Sequence, residues 1–285
     1  MRNRYIRSLV VTALLGSLNA DAMDFKWSLG THDFVVSNIK NDVPLDGIEA
    51  GDSHTLGVNS ALYVSHTTAT GIHFDAKAEA FLDYDKDELD PDHIPIWFDF
   101  TFNVDGEMLK LNDTNSLKWL IKMDNRQNTV SCVEREVRQH LGVGYQYQTD
   151  NFTFNADILA GFYYIEFDDD TPVNRGYGRE DTDDGEASHV YIIDSTYRFN
   201  KSWNIFGEYR HYAANMGAAT LEDNVNVLVS YMGSDVFGEG TGFHLKAKYV
   251  KYDISRFYKE SIGHDIVPFD NDTLIQAYVT IPVKF

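Results

Sequence analysis

An all-β, transmembrane, antiparallel up-and-down β-barrel of about twelve strands is the fold this sequence predicts, on three observations. Long segments alternate apolar and polar residues with a period of two, the connectors between them alternate in length, and no stretch after the N-terminal region is apolar enough for a spanning helix. The rhythm is decisive because backbone N–H and C=O groups in lipid must pair within the protein, which only helices and closed barrels achieve.

Taken in chain order, the first element is an address rather than a strand. Arg2, Arg4 and Arg7 precede an apolar run from Ser8 to Leu18, and Ala20-Asp21-Ala22 supplies a small-residue cleavage site. This is the layout of a secretory signal peptide over residues 1–22. Its apolar stretch of about 11 residues is too short for a spanning helix, which needs roughly 20. Residues 23–285 then form one barrel domain.

Alternating segments are placed at 24–37, 54–66, 70–84, 94–105, 116–127 and 134–149, then at 151–167, 188–199, 202–213, 222–232, 241–254 and 271–285. Outward faces read Phe74, Ala76, Ala78, Ala80 and Leu82 in the third, Phe98, Phe100, Phe102 and Val104 in the fourth, and Phe154, Ala156, Ile158, Ala160 and Phe162 in the seventh. Mean hydropathy is mildly negative, as expected where only alternate positions face lipid. Two places are ambiguous. Val130, Val133, Val137 and Leu141 also fit a helical period, so part of 129–140 could be a loop helix or plug. The stretch 106–116 is long for a turn unless the fourth strand continues through Lys110, so counts of ten or fourteen stay open.

Connector lengths support the count. Those after strands two, six and eight are turn-like, whereas those after strands one, three, seven and eleven are long and acidic, matching the short periplasmic turns and long outer loops of membrane barrels. Trp27, Trp119 and Trp203 lie on outward faces near the starts of odd-numbered strands, where they would form an aromatic girdle at one interface. Cys132 is the single cysteine, which excludes an intrachain disulfide.

In the last segment Ile275, Ala277, Val279, Ile281, Val283 and Phe285 share the lipid face, and Gln276, Tyr278, Thr280, Pro282 and Lys284 the other. This strand with its terminal aromatic resembles the C-terminal signal of Gram-negative outer-membrane β-barrel proteins. The resemblance implies an outer-membrane location, a setting of outer-membrane lipids and lipopolysaccharide, the barrel-assembly machinery as partner during insertion, a monomer, and no nucleic acid. Length and final strand are also similar to the β-domain of autotransporters, although no passenger precedes the first strand, which leaves a solitary barrel of that kind. Trp119 to Arg138, Phe167-Asp168-Asp169-Asp170 and Asp270-Asn271-Asp272-Thr273 are similar to a group of proteobacterial barrel proteins, a likeness over most of the chain that brings no activity with it.

Charge divides between lumen and loops. The chain carries −20, and removing residues 1–22, with Arg2, Arg4 and Arg7 against Asp21, leaves about −22. On the face opposite the apolar one, eleven cations from Lys26 to Lys284 meet eleven carboxylates from Asp75 to Glu208, which predicts a narrow lumen filled with cross-strand ion pairs. Arg126, Glu134, Glu136, Arg138, Glu208 and Arg210 are the expected lining residues, either setting what passes or forming a static network. The surplus acid lies in the loops. Asp83, Asp85 and Asp87, with Asp168, Asp169 and Asp170, are candidate ligands for Ca²⁺ or Mg²⁺, because these hard cations take carboxylate oxygens. Asp83-x-Asp85-x-Asp87 imitates an EF-hand opening, but Glu88 stands where the glycine belongs and Ile94 where the bidentate Glu belongs. No other cofactor is expected.

Catalysis finds little support. His140 and His244 lack the Ser-Asn-Gly run of outer-membrane phospholipases, Asp183-Asp184 and His264-Asp265 supply only the letters of the aspartyl-type protease pairs, and Ser188 beside His189 is the best nucleophile and base available. The sequence therefore favours a narrow, porin-like diffusion channel with acidic extracellular loops. The alternative is a non-conducting surface barrel that binds divalent cations or lipopolysaccharide.

Overall fold

The computed structural model describes residues 23–37, 53–86, 95–129, 133–167, 186–233, 238–253 and 269–283. Its twelve strands are β1 Asp24–Ser37, β2 Ser53–Thr67, β3 His73–Lys86, β4 Ile96–Lys110, β5 Asn115–Gln127, β6 Val133–Gln148, β7 Phe152–Phe167, β8 Glu186–Arg198, β9 Trp203–Ala214, β10 Ala219–Tyr231, β11 Gly242–Tyr252 and β12 Asn271–Val283. Each pairs antiparallel with its sequence neighbours, and β1 closes on β12, with Trp27 opposite Ile281 and Phe34 opposite Leu274. Closure removes the edges that lipid would otherwise leave unpaired.

Strand length fits a membrane. The strands run from 11 to 16 residues, and at about 3.3 Å per residue and a tilt near 45° they rise about 25–40 Å, enough for the hydrocarbon core. Among the described residues no helix is long and apolar enough to cross a membrane.

The two-residue period separates the surfaces as predicted. Leu141 is 67% exposed and Ile158 57%, and Leu29, Leu62, Leu82, Ile121, Ile193, Leu245 and Ile275 also stand on the outer face. Trp27 and Trp203 are exposed near one end of the barrel, and Trp119 lies on the outward face of β5. A Cβ on Gly106, its register partner, would come within 2.7–2.9 Å of the Trp119 indole, so the glycine makes room for that ring.

Both ambiguities of the sequence resolve as strand. Gly106 to Lys110 extend β4, with a register shift between Glu107 and Leu109, and residues 133–140 belong to β6 rather than to a helix. Residues 130–132, including Cys132, lie outside the described residues. Twelve strands therefore stand.

Four of the five connectors at one end of the barrel, after β2, β4, β6 and β8, have three to five residues, and the fifth, after β10, spans 232–241; this is the turn end. Thr68 N donates to Ile72 O at 2.8 Å and Thr149 N to Phe152 O at 2.8 Å within two of these turns. The opposite, loop end carries the long segments 38–52, 168–185 and 254–268, which lie outside the described residues. Two of its connections are short. Asn128 (φ 61°) lies between β5 and β6, and a 3-10 turn at Asn215–Gly217, with φ of 50° at Asn215 and 90° at Gly217, joins β9 to β10.

Three of the four register shifts also lie at the loop end, at Leu56/Gly57, Val133/Arg135 and Thr220/Glu222. The last buries Leu221 beside Glu222, each 0% exposed, although only Glu222 has the inward parity of Asn224 and Asn226. A bulge places two consecutive residues opposite one partner and so breaks the alternation locally.

Candidate functional site: the barrel lumen

Two kinds of wall meet inside the loop-end half. On β1, β3 and β4 the inward positions carry Phe34, His32, Phe81, Asp83 and Trp97, all buried. The Phe81 and Trp97 rings stack with centroids 3.5 Å apart and planes 4° from parallel, and His32 meets both edge-on. His32 Nε2 lies 2.8 Å from Asp83 Oδ1, which also accepts from Trp97 Nε1 at 3.2 Å. A Cβ on Gly57 would lie 2.4 Å from His32 Cε1, so a larger residue there would push the imidazole away from Asp83.

Facing this aromatic wall is an ionic one. Arg126 binds Glu136 through two parallel bonds of 2.9 Å and donates to Asp272 Oδ2 at 2.9 Å. The Tyr252 hydroxyl accepts from Arg126 and reaches Glu136 Oε1 at 3.0 Å and Asp272 Oδ2 at 2.8 Å. Arg138 donates to Glu136 Oε2 at 3.1 Å and to Glu222, which also accepts from Tyr163 Oη at 2.6 Å. β5 and β12 lie five places apart round the twelve-strand ring, as do β6 and β11, so these bonds cross the lumen. Arg126 also lies over Phe34, which ties the two walls together by cation–π contact, and Arg138 lies over Tyr163 of β7 and Tyr212 of β9.

The result is an occluded layer. Arg126 and Arg138 are 3% exposed and Glu136 0%. Charges so deeply buried persist only where partners satisfy them, and each of these has at least two.

Below that layer the lumen opens. A gap of about 80 Å³ lies among Lys77, Asp99, Asp124, Arg138, Arg210, Lys246 and Lys248. It shares Glu208, Arg210 and Asn226 with a void of about 330 Å³, and Lys77 and Thr101 with another of about 390 Å³ that reaches Asp24, Lys26, Ser65 and Thr280 at the turn end. Ion pairs continue along these walls: Arg210 with Asp124 at 2.6 Å and Glu208 at 3.0 Å, Lys77 with Glu79 at 2.7 Å, Lys122 with Asp157 at 3.2 Å, and Lys118 with Asp105 at 3.4 Å.

The six residues expected to line a passage therefore divide. Arg126, Glu136 and Arg138 sit within the occluding layer, Glu208 and Arg210 line the open part, and Glu134 is half-buried at the loop-end mouth, its carbonyl accepting from Asn128 N at 2.8 Å. Of the six candidate metal ligands, Asp83 points into the lumen and holds His32 and Trp97. Asp85 pairs in register with Leu56, and Asp87, Asp168, Asp169 and Asp170 lie outside the described residues. Among the described residues no three His, Cys, Asp or Glu side chains gather at metal-binding spacing.

Sequence reasoning missed Glu222, Asp272, Tyr252 and Tyr163. Parity alone would have found all four, since Tyr163 shares the face of Asp157 and Glu222 that of Asn224 and Asn226. Tyr252 shares the face of Lys246 and Lys248, and Asp272 that of Gln276, but both stand at strand ends where a loop reading competes. Adjacent strand residues point to opposite faces, so Ser188 and His189 cannot act as a pair. Ser188 Oγ instead meets His140 Nε2 of β6 at 2.7 Å, and at 1% and 4% exposure the two are closed off from substrate.

No family model and no curated protein matches this chain. Among solved structures it is similar to the KdgM porin in complex with disordered oligogalacturonate, at 10% identity over 90% of this chain and 99% of that one, with a TM-score of 0.45. It is also similar to the translocator domain of autotransporter NalP from Neisseria meningitidis, at 9% identity over 99% and 95% with a TM-score of 0.42, and to the TodX deltaS2S3 mutant monoaromatic hydrocarbon channel, at 10% identity over 94% and 92% with a TM-score of 0.41. The fold is that of an outer-membrane β-barrel. Closure and the apolar exterior carry that statement, and nothing about solute passes from these structures to the chain.

Proposed function

We propose that the protein is a narrow outer-membrane channel, shut in this structure by the Arg126–Glu136–Arg138 layer and its aromatic partners. One observation carries the reading. Charged voids run from the turn end to mid-barrel and meet a layer of charged side chains held by hydrogen bonds. The turn end would face the periplasm and the acidic loops the outside, within outer-membrane lipid and lipopolysaccharide. With cations and carboxylates interleaved along the wall, the passage would be weakly ion-selective and small in conductance.

Planar-bilayer recording of the refolded residues 23–285, with and without Ca²⁺, tests this. Wild type is expected to show rare small steps, and Glu136→Ala more frequent ones because the layer loses its central acceptor. Silence from both proteins, with each verified as folded by heat-modifiable migration in detergent gels, would retire the channel and favour a surface barrel.

A further inference from the structure

Most cations inside this barrel face a carboxylate at close range, but among the described residues Lys26 at the turn end and two lysines on β11 do not. Lys246 and Lys248 are half-buried on the inward face and line the 80 Å³ gap at mid-barrel. Their register neighbours explain the difference: Lys246 lies between Leu228 of β10 and Gln276 of β12, and Lys248 between Asn226 and Leu274. None of the four is acidic. Across the gap the three lining carboxylates are already engaged, Asp99 by Lys77 at 3.4 Å and Asp124 and Glu208 by Arg210 at 2.6 and 3.0 Å. The Gln276 amide is also committed, donating to Glu79 Oε1 at 2.7 Å. Among the described residues neither lysine has an ion-pair partner within 4.0 Å, whereas Lys77, Arg138 and Arg210, lining the same gap, each have two.

The geometry points to a binding site for a compact oxyanion, a carboxylate or phosphate, held between Lys246 and Lys248 and entered from the turn end. Two ammonium groups on one strand, two residues apart, stand about 7 Å apart at their Cα atoms and can converge on one small anion. Among the described residues no carboxylate stands within 4.0 Å of either ammonium group, so an incoming oxyanion has no close salt bridge to break. The route is the 390 Å³ void, which shares Lys77 with the gap. Size sets the ligand class: about 80 Å³ accepts a small polyanion or one anionic group of a larger solute. The site does not require the lumen to conduct.

The test is equilibrium binding to the refolded residues 23–285 in neutral detergent at low salt, by calorimetry, with citrate and pyrophosphate as separate probes to tell carboxylate from phosphate. At least one probe is expected to bind. The double variant K246Q/K248Q should weaken it at least roughly tenfold, as loss of a charged hydrogen bond predicts. Lys118→Gln, at a lysine paired with Asp105 away from the gap, should leave affinity within about twofold. Among the described residues neither Lys246 nor Lys248 makes a close ion pair with a buried acid, so the double variant should keep the heat-modifiable band of the folded barrel. Failure of both probes to bind at millimolar concentration, or equal affinity in wild type and double variant, would overturn the site. A silent bilayer with intact binding would remove the channel and leave the site standing.

Discussion

The two halves of the lumen use the same strands and the same alternation, yet one is filled and the other is open. At the loop end, Trp97, Phe81, Phe34, Tyr163, Tyr212 and Tyr252 supply volume, and Arg126 and Arg138 bridge carboxylates on distant strands. At the turn end the inward positions are shorter or sparser, as with Asn103, Asn155, Asp194 and Ser65, and voids of about 330 and 390 Å³ remain. Strand number sets the width available, but side-chain volume and the reach of the charged groups decide whether the barrel is a plug or a vestibule.

Three substitutions would break or sharpen that contrast. Glu136→Ala should have the largest effect, because it removes the carboxylate shared by two guanidinium groups, leaving each with one, in a layer with almost no exposure. The expected loss is about 3–5 kcal/mol, read by urea unfolding in micelles. A loss below about 1 kcal/mol would mean that water reaches the layer and that the halves are alike. Trp97→Ala comes next, at about 3 kcal/mol or somewhat more. It removes the ring stacked on Phe81 and the indole donor to Asp83, so open events in bilayers should become more frequent as stability falls. Unchanged gating would place the barrier in the ionic wall alone. The smallest effect belongs to the vestibule: Lys118→Ala breaks a 3.4 Å pair that is partly exposed, with an expected cost under about 1 kcal/mol that salt should reduce further. A cost as large as that of Glu136→Ala would dissolve the distinction.

The barrel was legible because its signal is local and repeated. Ile158 and Ala160 announce the lipid face of β7 without reference to any other strand, and the twelve segments reappear within a few residues of their predicted bounds. Part of the lumen chemistry was legible too, since Arg126, Glu136, Arg138, Glu208 and Arg210 share the inward parity. Their division into plug and vestibule was not, because it depends on which residues meet across the ring. Asp272 is 146 residues from Arg126 and Glu222 is 84 from Arg138, so neither meeting can be read from one strand.

By itself the sequence determined a lipid-facing barrel, since each residue's parity states its face and closure follows from the need to pair every backbone group. Only the tertiary structure decided where the lumen is sealed and which cations go unpaired, because strand register and cross-ring reach are relations between distant residues. Lys246 is left without a carboxylate because Leu228 and Gln276 are its neighbours, a fact that exists only once β10, β11 and β12 lie side by side.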